Sequence, residues 1–105
     1  MTLAVQAGET VRHRHTYAIW SHEEISSRNS ADFQRWVERE LKGNFTKMSI
    51  DLRKVAYVDA PGLAAIVRVS RLANYRGIEI EWLNLDPNVA KVMALTKLDS
   101  ILNVR

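Results

Sequence analysis

The chain has 105 residues, 47% of them hydrophobic and 26% charged, with 15 Lys and Arg against 12 Asp and Glu, a net charge of +3 and a pI near 9.5. That length suits one compact domain over 1–105, large enough to bury a core unaided. The absence of cysteine excludes disulfides and thiolate metal sites, no apolar stretch approaches the roughly 18 to 20 residues of a membrane span, and M-T-L-A-V-Q-A-G-E-T lacks the basic start and apolar middle of a signal peptide.

These features predict a cytoplasmic protein with no membrane insertion. The basic residues are interleaved with acidic ones, as in R-W-V-E-R-E-L-K, and the one cluster, R-H-R-H at 12–15, is short. A nucleic-acid binder concentrates its charge in a stripe, so nucleic acid is not an expected partner.

In chain order, residues 2–7 read as a short edge strand and Ala7-Gly8-Glu9 as a turn. Residues 10–20 alternate, with Val11, His13, His15, Tyr17 and Ile19 on one side, the period of a strand. If that side is buried, His13 and His15 lie near the strand's wet end. The first two strands are placed as an antiparallel hairpin. Residues 21–29, S-H-E-E-I-S-S-R-N, are polar and loop-like. Asn29 or Ser30 then caps a helix running to about Lys42, with Phe33, Trp36, Val37 and Leu41 at helical spacing and Gly43 as a stop.

Met48–Leu52 forms a strand, followed by Arg53-Lys54 and the apolar Val55-Ala56-Tyr57-Val58. The stripe Ala65, Ile66, Val69, Leu72 and Ala73 predicts a helix from about Pro61 to Tyr75, ended by Gly77. Residues 78–83, I-E-I-E-W-L, alternate as a strand. Asp86-Pro87 opens another helix with Val89, Val92 and Met93 inward, and Ile101–Val104 is a last short strand. The order β-β-α-β-α-β-α-β predicts an α/β fold, a largely parallel but mixed sheet flanked by helices with right-handed crossovers.

Residues 55–66, V-A-Y-V-D-A-P-G-L-A-A-I, run from an apolar strand through an acid into a helix. Pro61 suits the first helical position, which makes Ala60 the expected N-cap; a hydroxyl there would accept from an orphan N–H, and alanine forgoes about 1 kcal/mol. Such a junction also presents N–H groups and the positive end of the helix dipole, a natural anion site.

Together with this segment, M-S-I-D-L, R-L-A-N-Y-R-G-I-E-I-E-W-L-N-L, D-P-N-V-A-K-V-M-A-L-T-K-L-D-S-I-L and E-E-I-S-S-R-N-S-A-D-F stand in the order and spacing of one known family. The chain resembles a STAS domain of the anti-sigma factor antagonist type. The resemblance implies a non-catalytic module without cofactors, monomeric or weakly dimeric, that binds an anti-sigma, serine-kinase-like protein and so frees a sigma factor. In that family a Ser or Thr commonly follows the Asp, and its phosphorylation breaks the contact by charge and bulk. Here that position is Ala60, and the next is Pro61; neither has a hydroxyl. The implied partner surface is the loop Ser26, Ser27 and Asn29, the junction Asp59, Ala60, Pro61 and Gly62, and the helix face Ala64, Val67, Arg68 and Arg71. Ser26 stands where the family often has Asp, and His22-Glu23 where glycine is common, so the partner loop departs from the pattern. Many members add a final helix after the last strand; here the sheet edge is expected to lie open to a partner or a second copy.

Other chemistry reads as weak. Asp59 has no neighbouring His or second carboxylate in sequence, and is taken as a structural acid. His13, His15 and His22 have some metal-ligand character but no supporting pattern, and no metal is expected. No P-loop, dinucleotide fingerprint or nucleophile motif occurs. Ser26, Ser27 and Thr96 are hydroxyls to which a displaced phospho-switch would move. Two further functions compete with the antagonist: a STAS subunit of a phospholipid-transport ABC system binding its ATPase through the same helix, and an enzyme or small-ligand binder with a nucleotide or lipid at the helix N-terminus.

Overall fold

The computed structural model of the chain describes residues 14–104. At its centre Lys47–Asp51 (β3) is flanked in parallel by His15–Ile19 (β1) and Glu79–Leu83 (β5), and β5 carries the two-residue Asn103–Val104 (β6) on its outer edge. A second, two-stranded sheet pairs Glu24–Ile25 (β2) with Tyr57–Val58 (β4), also in parallel. The helices are Ser30–Glu40 (α1), Ala60–Tyr75 (α2) and Pro87–Leu95 (α3), followed by a 3-10 turn at Leu98–Ser100. The strand expected over 2–7, and with it the antiparallel hairpin, lies outside the described residues; every pairing within them is parallel.

The main sheet adds its strands in one direction, β1-β3-β5-β6. Crossovers of one hand then deliver the connecting helices to one face. That face carries the rows Thr16–Met48–Ile80 and Ala18–Ile50–Trp82. Met48, Ile50 and Trp82 are fully buried, and each contributes about 1.5 to 3 kcal/mol of burial. Trp82 lies 6.2 Å from the α1 ring of Phe33, and its indole N–H donates to Ser70 of α2. The helices bury matching stripes: Phe33 and Val37 on α1, then Gly62, Ala65, Ile66, Val69 and Ala73 on α2. The alanines let α1 and α2 pack side by side. Gly77, at φ 76°, ends α2 as expected.

Alternation along β1 is as expected, but its inward side is the other one. Thr16 and Ala18 face the apolar rows, while His15, Tyr17 and Ile19 are the more exposed set. On that second face the neighbouring strands carry Ser49, Asp51 and Glu81, buried but polar. Their side chains satisfy one another. Ser49 donates to Glu81, His15 meets Ser49 at 2.7 Å, and Lys47 pairs with Glu81. At the end of β3, Asp51 accepts from Tyr17, Arg53 and Asn84. Asn84 adopts a left-handed φ of 58° to reach it, a conformation asparagine tolerates well.

Candidate functional site: the junction of β4 and α2

Val58 is buried, and the chain leaves it extended through Asp59 before turning into α2 at Ala60. The N-cap is Asp59, not Ala60. Its Oδ1 accepts from the Gly62 N–H at 2.8 Å, and its carbonyl accepts from Leu63. Pro61 therefore sits one residue further into the helix than expected. The charged cap is stronger than the serine that Ala60 was expected to lack, because it also complements the helix dipole.

The second oxygen of Asp59 accepts from the backbone N–H of Ser27 at 2.9 Å. One carboxylate thus ties the start of α2 to the turn after β2. Those two backbone donors hold the Asp59 carboxyl below its ordinary pKa, Ser27 first and Gly62 after it. The expected anion site is filled in part: the protein's own carboxylate takes the Gly62 and Ser27 N–H groups, and Pro61 has none to add.

The turn itself is heavily tied. The Ser26 N–H donates to Asn29 Oδ1, and the Asn29 amide donates to the Glu24 carbonyl. Asn29 is at the N-cap position of α1, but its side chain serves the turn rather than the helix. Arg28 makes a bidentate pair with Glu24, lowering that carboxyl's pKa, and the buried Ser26 hydroxyl donates to the same group. Gly62 completes the join. A Cβ built there would lie 1.8 Å from the Ile25 carbonyl oxygen, so β2 and α2 touch backbone to backbone.

The structure brings the expected loop and junction residues together. Ser27, Ala60 and Pro61 are exposed side by side with Asp59 half-buried between them, whereas Ser26 and Gly62 are buried and act as supports. Ala64, Arg68 and Arg71 continue the exposed strip along α2, with Val67 half-buried beside it. Of the other hydroxyls considered, Thr96 donates to the Val92 carbonyl at the end of α3, remote in sequence from the junction. His13 lies outside the described residues; His22 packs on Trp20, with ring centroids 4.6 Å apart, and is not brought to His15. Sequence reasoning missed the β2–β4 pair and the Asp51 cluster. The signals were an acid ending an apolar strand at Asp51 and an Arg two residues on.

Low pH has a definite sign here. Asp51, Asp59 and Glu24 all titrate below their ordinary values in the folded protein, through Arg53, the Ser27 N–H and Arg28 respectively. The unfolded chain then binds more protons in the acid range. The stability these groups supply is complete above the ordinary carboxylate pKa of about 4 and is lost as pH falls below it. Urea midpoints measured from pH 7 down to pH 3 are expected to fall steadily below about pH 5; a flat profile would mean that these contacts do not persist in solution.

The chain is thus a parallel α/β sheet whose connecting helices share one side, with a capped helix start exposed beside a tied loop. The chain belongs to the STAS domain family, whose model matches residues 9–105. Among solved structures it is similar to a candidate anti-sigma factor antagonist from Thermotoga maritima, at 27% identity and a TM-score of 0.71, covering 82% of this chain and 75% of that one. The phosphorylated form of the Bacillus cell fate determinant SpoIIAA shares the fold at 14% identity and a TM-score of 0.60, covering 86% and 82% of the two chains. So does the murine anion transporter Slc26a9, at 20% identity and a TM-score of 0.67 over 72% of this chain but only 13% of the transporter. No curated relative matches the sequence. No helix among the described residues is long and apolar enough to cross a membrane.

Proposed function

We propose that this protein is a non-catalytic, cytoplasmic interaction module of the anti-sigma factor antagonist type, binding an anti-sigma, kinase-like partner through the start of α2 and the Ser26–Asn29 turn. The observation that carries the reading is Ala60, exposed as the first residue of α2. On the resemblance it takes the place of the family's acceptor hydroxyl, and it lies on a surface ordered by Asp59 and Gly62. A pre-organised surface loses little freedom on docking. Without a hydroxyl at 60 or 61 the module acts as a permanently binding-competent antagonist.

The test is affinity purification of the tagged protein from its own cells, followed by titration of the recovered partner with Ala60→Asp. An acid at the first helical residue favours the helix dipole, so the variant is expected to keep its thermal stability. It is expected to lose affinity by about tenfold or more, through charge placed on the interface. Unchanged affinity would put the interface elsewhere. Recovery of a transport ATPase in place of a kinase-like protein would replace this reading with the ABC-subunit one. A phosphate on Ser27 or Thr96 would show control moved to another residue.

A further inference from the structure

The exposed face of α2 changes character along its length. Ala60, Ala64, Arg68, Arg71 and Tyr75 follow one another at the spacing of a single helical stripe, and all five are exposed. The first half of the stripe is small and uncharged. The second half is cationic, and from Ala60 to Ile78 the chain carries no carboxylate. Arg68 and Arg71 join no ion pair among the described residues; the pairs found there are Arg28–Glu24, Arg35–Asp32, Lys47–Glu81 and Arg53–Asp51. At the start of the stripe Asp59 is held by Ser27 and Gly62, and Glu24 by Arg28. On α1, packed alongside, Asp32 is held by Arg35. Glu79, across a groove from Arg71, accepts from the Asn103 amide.

We infer that the protein that binds this surface is acidic where it meets Arg68 and Arg71 and closely packed where it meets Ala60 and Ala64, so that it docks in one direction only. The inference rests on the surface proposed above and adds the chemistry of what binds there. Exposed guanidiniums without internal partners attract carboxylates, which they grip bidentately, and oppose a basic surface. By helical rise Ala60 and Arg71 lie about 16 Å apart. That exceeds the Debye length of about 8 Å at physiological salt, so a carboxylate placed at the Ala60 end gains little from the arginines. A second copy of this chain is a poor occupant, since a two-fold interface is self-complementary. Laid along this stripe, a copy would bring Arg68 and Arg71 against the same arginines or against Ala64 and Ala60, with no carboxylate on the stripe to meet them.

The test is an NMR titration of the ¹⁵N-labelled protein with two alanine-rich helical peptides. They are identical except that one carries Glu and the other Lys in the turns at one end. The expected result is amide shifts at Ala64, Arg68 and Arg71 with the Glu peptide only, lost at high salt. Arg68→Glu combined with Arg71→Glu changes exposed side chains only, so the melting temperature is expected to hold while the preference reverses to the Lys peptide. Against the protein recovered by affinity purification, the same double variant is expected to lose about tenfold or more in affinity. The peptide titration needs no recovered protein, and the antagonist reading is judged separately by Ala60→Asp, so the two failures are distinguishable. Equal response to both peptides, no response to either, or full affinity of the recovered protein for the double variant would each overturn the inference.

Discussion

Gly62→Ala is expected to destabilise the protein by about 3 kcal/mol or more, the range in which inserted atoms find no room. In a domain of this size that lowers the melting temperature by roughly 10 to 20 °C. The sign makes the experiment informative. In an open helical site the same change would stabilise by about 1 kcal/mol, because alanine is the better helix former. Here the new methyl would meet the Ile25 carbonyl oxygen at 1.8 Å, its carbon at 2.6 Å and Val58 Cγ1 at 3.1 Å. The first two are backbone atoms, so no rotamer change relieves the clash. Either α2 starts later or β2 leaves β4, and both movements break the Ser27–Asp59 bond. Thermal denaturation, with the Ser27 amide resonance as a local reporter, checks this. A stability gain would mean that β2 and α2 do not touch.

The second large effect is expected at Asp51. It is fully buried, yet it accepts from the Tyr17 hydroxyl, the Asn84 amide, the Arg53 guanidinium and the Arg53 backbone N–H. Asp51→Ala leaves all of these donors without their acceptor. Hydrogen bonds to a charged group are worth about 1.5 to 3 kcal/mol each. Arg53 is half exposed and recovers water, which limits the total to about 3 kcal/mol, the lower end for breaking a buried pair. Tyr17→Phe removes one donor only and is expected to cost about 1 kcal/mol. Urea denaturation of both variants tests the ordering. Equal costs would mean that Asp51 is held by Tyr17 alone. The cluster joins β1, β3 and the end of β5 on the side of the sheet opposite α1 and α2, so its loss is expected to loosen β1 before the helical layer.

Much of the fold was legible because its signals are local. Pro61 and Pro87 within the first helical turn, Gly77 past the last, and the stripe from Ala65 to Ala73 placed the helices to within a residue or two. The candidate site was legible as a location, since the acid, the proline and the glycine are adjacent in sequence. Its workings were not. Asp59 rather than Ala60 is the cap because that carboxylate can reach Ser27 and Gly62 together, and Ser27 is distant in sequence. The role of Gly62 likewise depends on Ile25.

The amino-acid order alone determined where the helices begin, a largely parallel α/β class and the absence of a hydroxyl at 60 and 61, since periodicity, proline and glycine act within a turn or two of chain. Tertiary structure decided the rest. Two-residue strands such as β2 and β4 are too short to carry a period, so their pairing exists only when the fold brings them together. Both faces of β1 look usable in sequence, and the choice of Thr16 and Ala18 as the inward side follows from the register that aligns them with the buried Met48 and Ile50 of β3. The one-directional order of the sheet puts the connecting helices on one face and leaves the other to be closed by polar side chains that satisfy one another.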